Sequence, residues 1–186
     1  LGHTVHLFLQ AEVREKLEAS LKREQMDFFD LYSFWGVNTH EQMNHVLKGG
    51  PMKAAEKALD EGLIRGIGIT THARPEWVQE FAELYPWVCF PLKEHSLYSR
   101  QQDAINHLGS KNIAVIVMTP LAGGVIANPG QEITERLAAG GCTAAQLGLR
   151  FLFANPNVTC AISGMISPEE VEENVKAGDN DGPLTD

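Results

Sequence analysis

Seven histidines and three cysteines are the side chains in this sequence best suited to bind a metal, and their spacing decides whether they can. His3 and His6 lie three apart at the start of the predicted strand 4–10, so their side chains point to opposite faces. His40 and His45 lie five apart on a predicted helix, about 140° apart around its axis. Since neither pair converges on one point, the sequence predicts no histidine metal site.

The cysteines are scattered as well, at Cys89, Cys142 and Cys160. They form no CxxC pair and their number is odd, which is typical of buried free thiols in a reducing compartment. We therefore expect a cytoplasmic protein without a locally encoded zinc or iron–sulfur site.

Length and composition narrow the class of protein. The chain has 186 residues, of which 44% are hydrophobic and 21% charged, and a formal net charge of -9. One domain is the default at this length, and two small ones are just possible. The negative charge argues against a non-specific nucleic-acid surface, and no apolar run approaches the roughly 18 residues of a membrane span. The chain begins at Leu1 without a signal-like segment, so we expect it to be processed or a piece of something longer.

Short apolar runs rich in β-forming residues alternate with amphipathic segments along the whole chain. The predicted strands are residues 4–10, 28–35, 64–70, 87–92, 113–119 and 158–163. The predicted helices are residues 12–25, 39–47, 51–59, 75–84, 99–108, 131–138, 143–154 and 168–177. Pro51 and Pro75 suit first helical turns and Ser167 suits an N-cap, whereas residues 178–186 form a polar tail.

Most of these strands are continuous apolar runs, which is typical of parallel strands buried on both faces. Their alternation with helices predicts an α/β fold with right-handed crossovers. Two architectures compete, an open doubly wound sheet and a (β/α) barrel. No GxGxxG follows the first strand, which leaves a dinucleotide-binding open sheet without support. Six units are two short of an eight-stranded barrel, and such barrels need roughly 200–250 residues, so closure stays open.

Four stretches are more specific. They read FFDLYSFWG (28–36), EKALDEGLIRGIGITTH (56–72), VIVMTPLAGGVI (115–126) and TAAQLGLRFLFANPNVTCAISGMISPEEVEENVKA (143–177). In this order and spacing they resemble the aldo-keto reductase superfamily, whose (β/α)8 barrels transfer hydride from NADPH to a carbonyl. The resemblance implies one TIM-barrel-like domain over residues 1–177 that contains strands three to eight, with the first two units missing.

The resemblance also implies that the usual catalytic tetrad is not present. The family's Asp and Tyr come from the missing second strand and the loop after it. Gln10 stands where the family has Lys, and Trp35 stands where it has His. A neutral amide and an indole cannot take over the proton chemistry of these groups, and an aromatic residue such as Trp35 on a strand is also typical of a core.

The family's cofactor residues are matched in part. Thr70 and Thr71 stand where Ser-Asn binds the nicotinamide carboxamide, although they could equally end a strand and cap a helix. Met118 replaces the aromatic residue that stacks on the ring, with core packing as the plainer interpretation. Leu92 stands near the family's Gln on the sixth strand.

The phosphate side of the cofactor site is matched more closely. The pyrophosphate loop keeps Thr119, Leu121, Gly123 and Gly124, whose small residues let backbone N–H groups approach phosphate. Gly164 begins a turn into a helix whose N-terminus can hold an anion, and Asn174 matches an adenine-contacting Asn. Glu170 stands where the family has an Arg for the 2′-phosphate. Glu170 has the wrong charge for that role, since an Arg would bind phosphate through two hydrogen bonds. The cofactor is expected to be NADP or NAD.

Two functions follow from these matches and mismatches. The first is NAD(P)H-dependent reduction of a small carbonyl substrate by an aldo-keto reductase-type chain, inactive or incomplete because the tetrad is missing. The alternative is a non-catalytic regulatory or ligand-binding protein, a pseudoenzyme on the same scaffold. Six strands of an eight-stranded barrel also leave two open edges, so we expect self-association or a partner that covers them.

Overall fold

The structure is a computed structural model that describes residues 10–179, in two compact units divided between Pro91 and Leu92. Its helices and strands alternate as predicted and confirm the α/β class. The first unit contains α1 (Gln10–Glu24), β1 (Tyr32–Phe34), α2 (His40–Lys48), α3 (Pro51–Asp60), β2 (Ile67–Ile69) and α4 (Pro75–Ala82). Strand β3 (Cys89–Lys93) crosses the division, and the second unit continues with α5 (Gln102–Ser110), β4 (Ala114–Met118), a 3₁₀ turn (Ala122–Gly124), α6 (Gln131–Ala139), α7 (Ala144–Phe153), β5 (Val158–Ile162) and α8 (Pro168–Gly178).

The strands of the first unit pair in parallel, in the order β1-β2-β3. Phe34 lies opposite Ile69, so β1 and β2 end at the same edge. All three residues of β2 are buried. The first helix packs on this unit through the side chains of Val13, Leu17 and Leu21, whose spacing predicts one buried helical stripe; all three are buried.

The strands β4 and β5 of the second unit are parallel too, with Met118 opposite Ile162. Val115 and Val117 are buried, but the residues between and after them on β4 are half-buried. The prediction that this apolar strand is buried on both faces is therefore wrong. Continuous hydrophobicity alone does not report how many faces a strand has covered.

Side-chain caps begin several helices where the sequence indicates a start. Thr39 caps α2 and Thr143 caps α7, each in a capping box with a Gln three residues on. Ser167 caps α8 as predicted, by accepting a hydrogen bond from the backbone N–H of Glu170. Pro51 and Pro75 lie in the first turns of α3 and α4, also as predicted.

Several boundaries differ from the sequence prediction. The aromatic segment 28–35 contributes only three residues to β1, although Phe29 adds an isolated bridge to Ile64. Gln10 is the first residue of α1 and not the last of a strand. Helix α8 extends through Gly178 into the predicted tail. Segment ends are fixed by hydrogen bonds that composition does not encode. The remaining residues of the predicted strand 4–10 and tail residues 180–186 lie outside the described part.

No helix within residues 10–179 combines the length and the apolar character that crossing a membrane requires.

Burial raises the pKa of Tyr32 in β1 to about 12, because the phenolate would lose its solvation. The folded protein thus holds this proton more tightly than the unfolded chain, whose tyrosine pKa is about 10. We expect the contribution to be complete below pH 10 and to be lost as the pH rises through 12, about 2 to 3 kcal/mol in all. The difference in unfolding free energy between Tyr32→Phe and the wild type, measured by denaturant titration at several pH values, should carry this dependence. An equal alkaline loss in both proteins would contradict it.

Candidate functional site

In the first unit, the segments that leave β1 and β2 are tied together at the carboxyl ends of the strands. The backbone N–H of Gly36 donates to Oγ1 of Thr70 at 2.8 Å, and the N–H of Val37 donates to the carbonyl of Thr70 at 2.9 Å. Trp35 directly precedes Gly36 in sequence and is 57% exposed. The interpretation of Trp35 as a core residue is therefore wrong, because its ring lies on the surface at the strand ends where α/β proteins bind ligands.

The two threonines after β2 differ in whether the hydroxyl group can still donate a hydrogen bond to a ligand. Thr71 is fully buried; its hydroxyl donates to the carbonyl of Val37 at 2.7 Å and accepts from the N–H of Ala73 at 3.0 Å. Its role is thus to hold the two loops together. Thr70 is half-buried, and its bond to Gly36 uses an oxygen lone pair rather than the hydroxyl proton. Of the two, Thr70 is the one that can donate to a ligand.

In the second unit, the loop after β4 has an unusual backbone. Thr119 and Ala122 have φ angles of 53° and 51°, in the left-handed region that residues with a Cβ rarely adopt. Gly123 and Gly124 follow at 67° and 95°. Ala122, Gly123 and Gly124 thus form one continuous left-handed turn with small residues at its tip, where a ligand can approach the backbone closely.

Internal hydrogen bonds hold this loop in shape. The N–H of Gly124 donates to the carbonyl of Leu121 at 3.0 Å, and the side-chain amide of Asn128 donates to the carbonyl of Gly124 at 3.0 Å. Strained residues persist only where the surroundings over-determine them, and they cluster at functional sites. We name residues 119–124 the left-handed loop.

The segment after β5 lies beside this loop, because the pairing of Met118 with Ile162 ends both strands at one edge. Asn174 of α8 reaches back so that its amide nitrogen donates to Oγ of Ser163 at 3.1 Å. The Oδ1 atom of Asn174 is buried and has no hydrogen-bond partner. A buried acceptor without a donor is costly, so this oxygen indicates a place where a ligand could donate. Gly164 is exposed and has open space at its Cα.

Comparison with known proteins gives the family. The family model described as "Aldo/keto reductase family" matches residues 6–186, nearly the whole chain. The chain belongs to the aldo/keto reductase family.

Similar proteins agree with this assignment. The chain is 26% identical to L-galactose dehydrogenase of Arabidopsis thaliana over 189 residues, which is 91% of the chain and 59% of the relative. It is 23% identical to the uncharacterized oxidoreductase YqkF of Bacillus subtilis over 192 residues, 90% of the chain and 60% of the relative. The chain thus spans about 60% of the length of these relatives.

Solved structures show the same fold. The holo form of aldo-keto reductase AKR11C1 from Bacillus halodurans matches with a TM-score of 0.77 at 24% identity, over 95% of this chain and 64% of that one. The aldose reductase of Schistosoma japonicum matches with a TM-score of 0.72 at 20% identity, over 98% of this chain and 63% of that one. The predicted TIM-barrel-like α/β fold is confirmed, over part of the length of these reductases.

The charges at the start of α8 in this family member are negative. The backbone N–H of Glu169 and the side chain of Ser167 lower the pKa of Glu169. The carboxylate of Glu170 accepts a hydrogen bond from the N–H of Ile166 at 2.7 Å. Both acidic residues lie in the first turn, where the helix dipole favours negative charge. Within residues 10–179, no group of three or more His, Cys, Asp or Glu side chains is placed to hold a metal ion.

Sequence analysis does not identify two residues that support the site. Ser163 holds Asn174, and its only signal is its position directly before Gly164. Gly148 lies inside α7, where a Cβ would come within 2.8 Å of the Ile126 side chain and 3.0 Å of the Leu121 side chain. A glycine inside a helix lowers stability, so its presence indicates that another segment packs closely against the helix. At Gly148 this segment is the left-handed loop and the residues that follow it.

Proposed function

We propose that the described residues form the cofactor-binding half of an NAD(P)H-dependent carbonyl reductase site. The observation that carries this proposal is the left-handed loop after β4, which lies at the same strand edge as the buried, unpartnered oxygen of Asn174. The family resemblance assigns pyrophosphate to the loop and adenine to Asn174. Both fit, because the N–H of Gly123 is not among those that bond within the loop and can donate to an anion, and Oδ1 of Asn174 can accept from an amino group.

Met118 of the second unit would contact the nicotinamide, because it ends β4 half-buried with a side chain that can pack on a ring face. In the first unit, taken by itself, Thr70 has a hydroxyl proton that it can donate to a ligand. The bound cofactor would supply hydride to the carbonyl carbon of a small substrate, and the carbonyl oxygen then requires a proton.

The resemblance assigns only the Lys and His positions of the family's tetrad to the described residues. Trp35 has an indole that does not titrate, and Gln10 carries a neutral amide. We therefore propose that this chain binds the cofactor but reduces carbonyl substrates slowly or not at all with these residues alone. The second candidate is a non-catalytic ligand-binding protein on the same scaffold, in which the exposed Trp35 would contact a ligand without chemistry.

We also propose that the protein is cytoplasmic, because Cys89, Cys142 and Cys160 are all free thiols.

We further propose that a second copy or a separate segment covers the open strand edges. Strand β5 pairs with β4 alone among the described strands of the second unit. Sedimentation of a monomer at high concentration would exclude a second copy.

The test of cofactor binding is a titration with NADH and with NADPH, followed by tryptophan fluorescence. We expect micromolar binding of at least one of them, and about tenfold weaker binding by Gly123→Ala, since the left-handed conformation costs alanine about 1 kcal/mol or more. Gly130→Ala is the matched control, because Gly130 also has a positive φ and open space but lies outside the left-handed loop. Equal losses in both variants, or no binding of either dinucleotide by folded protein, would contradict the proposal.

A further inference from the structure

We propose that the second unit has a binding site for a small, uncharged, largely hydrocarbon molecule, in a cavity between α6, α7 and the segments that follow β3 and the left-handed loop. The cavity has a volume of about 480 Å³, within the roughly 300–1,000 Å³ that is typical of ligand pockets. None of the residues that line it is one to which a cofactor contact was assigned above. The two sites are therefore independent of each other.

Large apolar side chains that are exposed to water converge on this cavity. Leu97 is 67% exposed, Val125 62%, Ile133 50% and Leu147 38%, and all four line the cavity together with the half-buried Phe151. Single exposed apolar residues are ordinary, whereas a cluster of them marks a binding surface. A ligand that covers these side chains would remove their surface from water, which is the main source of affinity for an apolar molecule.

Helix α6 has an apolar side that the rest of the protein does not cover. Ile133 and Leu137 lie four residues apart, so they share one face of the helix, and both line the cavity. Among the described helices of the second unit, α6 is the only one without a buried residue. Helices in proteins are stabilised mainly by packing of their apolar face. A ligand in the cavity would therefore supply packing that α6 lacks.

The chemistry of the lining decides which class of molecule fits. The described residues that line the cavity include no charged side chain, and Ser96 is the only one among them whose side chain can form a hydrogen bond. An ionised group would lose its solvation in such a place without gaining a partner. The ligand is therefore uncharged and has at most one hydroxyl or carbonyl group, at the end near Ser96.

The shape of the cavity favours a small molecule over a second copy of the chain. Hydrogen bonds within its walls hold it open: the N–H of Ile126 donates to the carbonyl of Leu121 at 3.3 Å, and the N–H of Cys142 donates to the carbonyl of Leu137 at 3.1 Å. The cavity is thus preformed, as ligand sites usually are. In a symmetric dimer the same surface would face itself, and two concave surfaces cannot fill each other.

The experiment is a titration of the full chain with N-phenylnaphthylamine, an uncharged dye whose fluorescence increases in apolar surroundings, followed by displacement with decanol and with decanoate. We expect one dye per chain to bind with micromolar affinity and decanol to displace it. Decanoate should displace it at least about tenfold less well, because its carboxylate would have to lose solvation. The affinity for the dye should not change with salt, because no charge takes part.

Ala144→Phe is the variant that tests the position of the site. Ala144 lines the cavity from the first position of α7, where a phenyl ring would fill part of the space and keep the lining apolar. We expect the dye to bind at least about tenfold more weakly, as expected when one apolar side chain loses its burial. Ala138→Phe is the matched control, because Ala138 is exposed on α6 and does not line the cavity.

Ile133→Asn is a second variant, which removes an apolar side chain from a wall and does not crowd the cavity. It should weaken dye binding about tenfold. Its control is Val171→Asn, since Val171 is a similarly exposed apolar residue on α8 outside the lining.

Several results would overturn the proposal. Absence of saturable dye binding by protein whose circular dichroism shows it to be folded would exclude the site, and equal binding by Ala144→Phe and the wild type would place the dye elsewhere. Displacement by decanoate as good as by decanol would refute the class of ligand. A dimer in sedimentation that Ile133→Asn dissociates would show that a second copy occupies the cavity. Dinucleotide binding is measured separately and is unaffected by any of these outcomes.

Discussion

Replacing Gly68 by alanine is expected to destabilise the protein by about 3 kcal/mol or more, at the upper end of what overpacking a core costs. A Cβ at this position would lie 2.4 Å from the carbonyl oxygen of Cys89 and 2.5 Å from its sulfur. It would also lie 3.1 Å from Oγ of Ser33. Gly68 is the middle residue of β2, paired with Ser33 on one side and Cys89 on the other. Since one of the clashing atoms belongs to the backbone of β3, the strands themselves would have to separate.

The measurement is the free energy of unfolding by denaturant titration, with Gly178→Ala as the matched control. Gly178 is exposed, has nothing within 4 Å of a Cβ and lies at the end of α8, so alanine there should be neutral or slightly stabilising. A loss in Gly68→Ala no larger than in Gly178→Ala would mean that β2 and β3 do not approach each other as closely as the structure shows.

Gly68 also illustrates what the sequence can predict about the fold. The alternation Gly-Ile-Gly-Ile in 66–69 indicates a strand, and a glycine inside a strand indicates that another backbone comes close. The sequence does not say which backbone, because the contact with Cys89 spans about twenty residues of chain and depends on strand register. The same limit explains β4, whose apolar run predicts a strand correctly but does not show that one face is only half-buried.

The residues of the candidate site likewise divide into those that the sequence predicts and those that it does not. Gly123 and Gly124 can be found from the sequence, because a turn that needs positive φ favours glycine. Thr119 and Ala122 adopt left-handed conformations against their intrinsic preference, so no local rule predicts them. The Thr71 hydroxyl is buried by its bonds to Val37 and Ala73. The sequence around Thr71 does not predict these bonds either. The sequence therefore predicts which loops belong to the candidate site. It does not predict which atoms of these loops can still form hydrogen bonds to a ligand.

Glu94 has a structural role that its sequence context does not predict. In the run Leu-Lys-Glu-His it reads as a polar residue at the end of a strand, yet its side chain is fully buried. One carboxylate oxygen accepts from the backbone N–H of Gln101 at 2.8 Å, and the other accepts from the side-chain amide of Gln102 at 3.3 Å. These residues begin α5, which has no side-chain cap from its own N-cap position. Glu94 thus caps the helix from seven residues before the N-cap Gln101, beyond any local capping pattern.

Removing this carboxylate should therefore cost about 3 kcal/mol, since Glu94→Leu leaves the buried N–H of Gln101 without an acceptor and the start of α5 without its compensating charge. Glu94→Gln keeps one acceptor oxygen for Gln101 and should cost about 1 kcal/mol. Denaturant titration of both variants separates the acceptor from the volume of the side chain, because Leu and Gln fill similar space. If the two variants lost equal stability, the bond to Gln101 would not be what stabilises α5, and the burial of Glu94 would need a different cause.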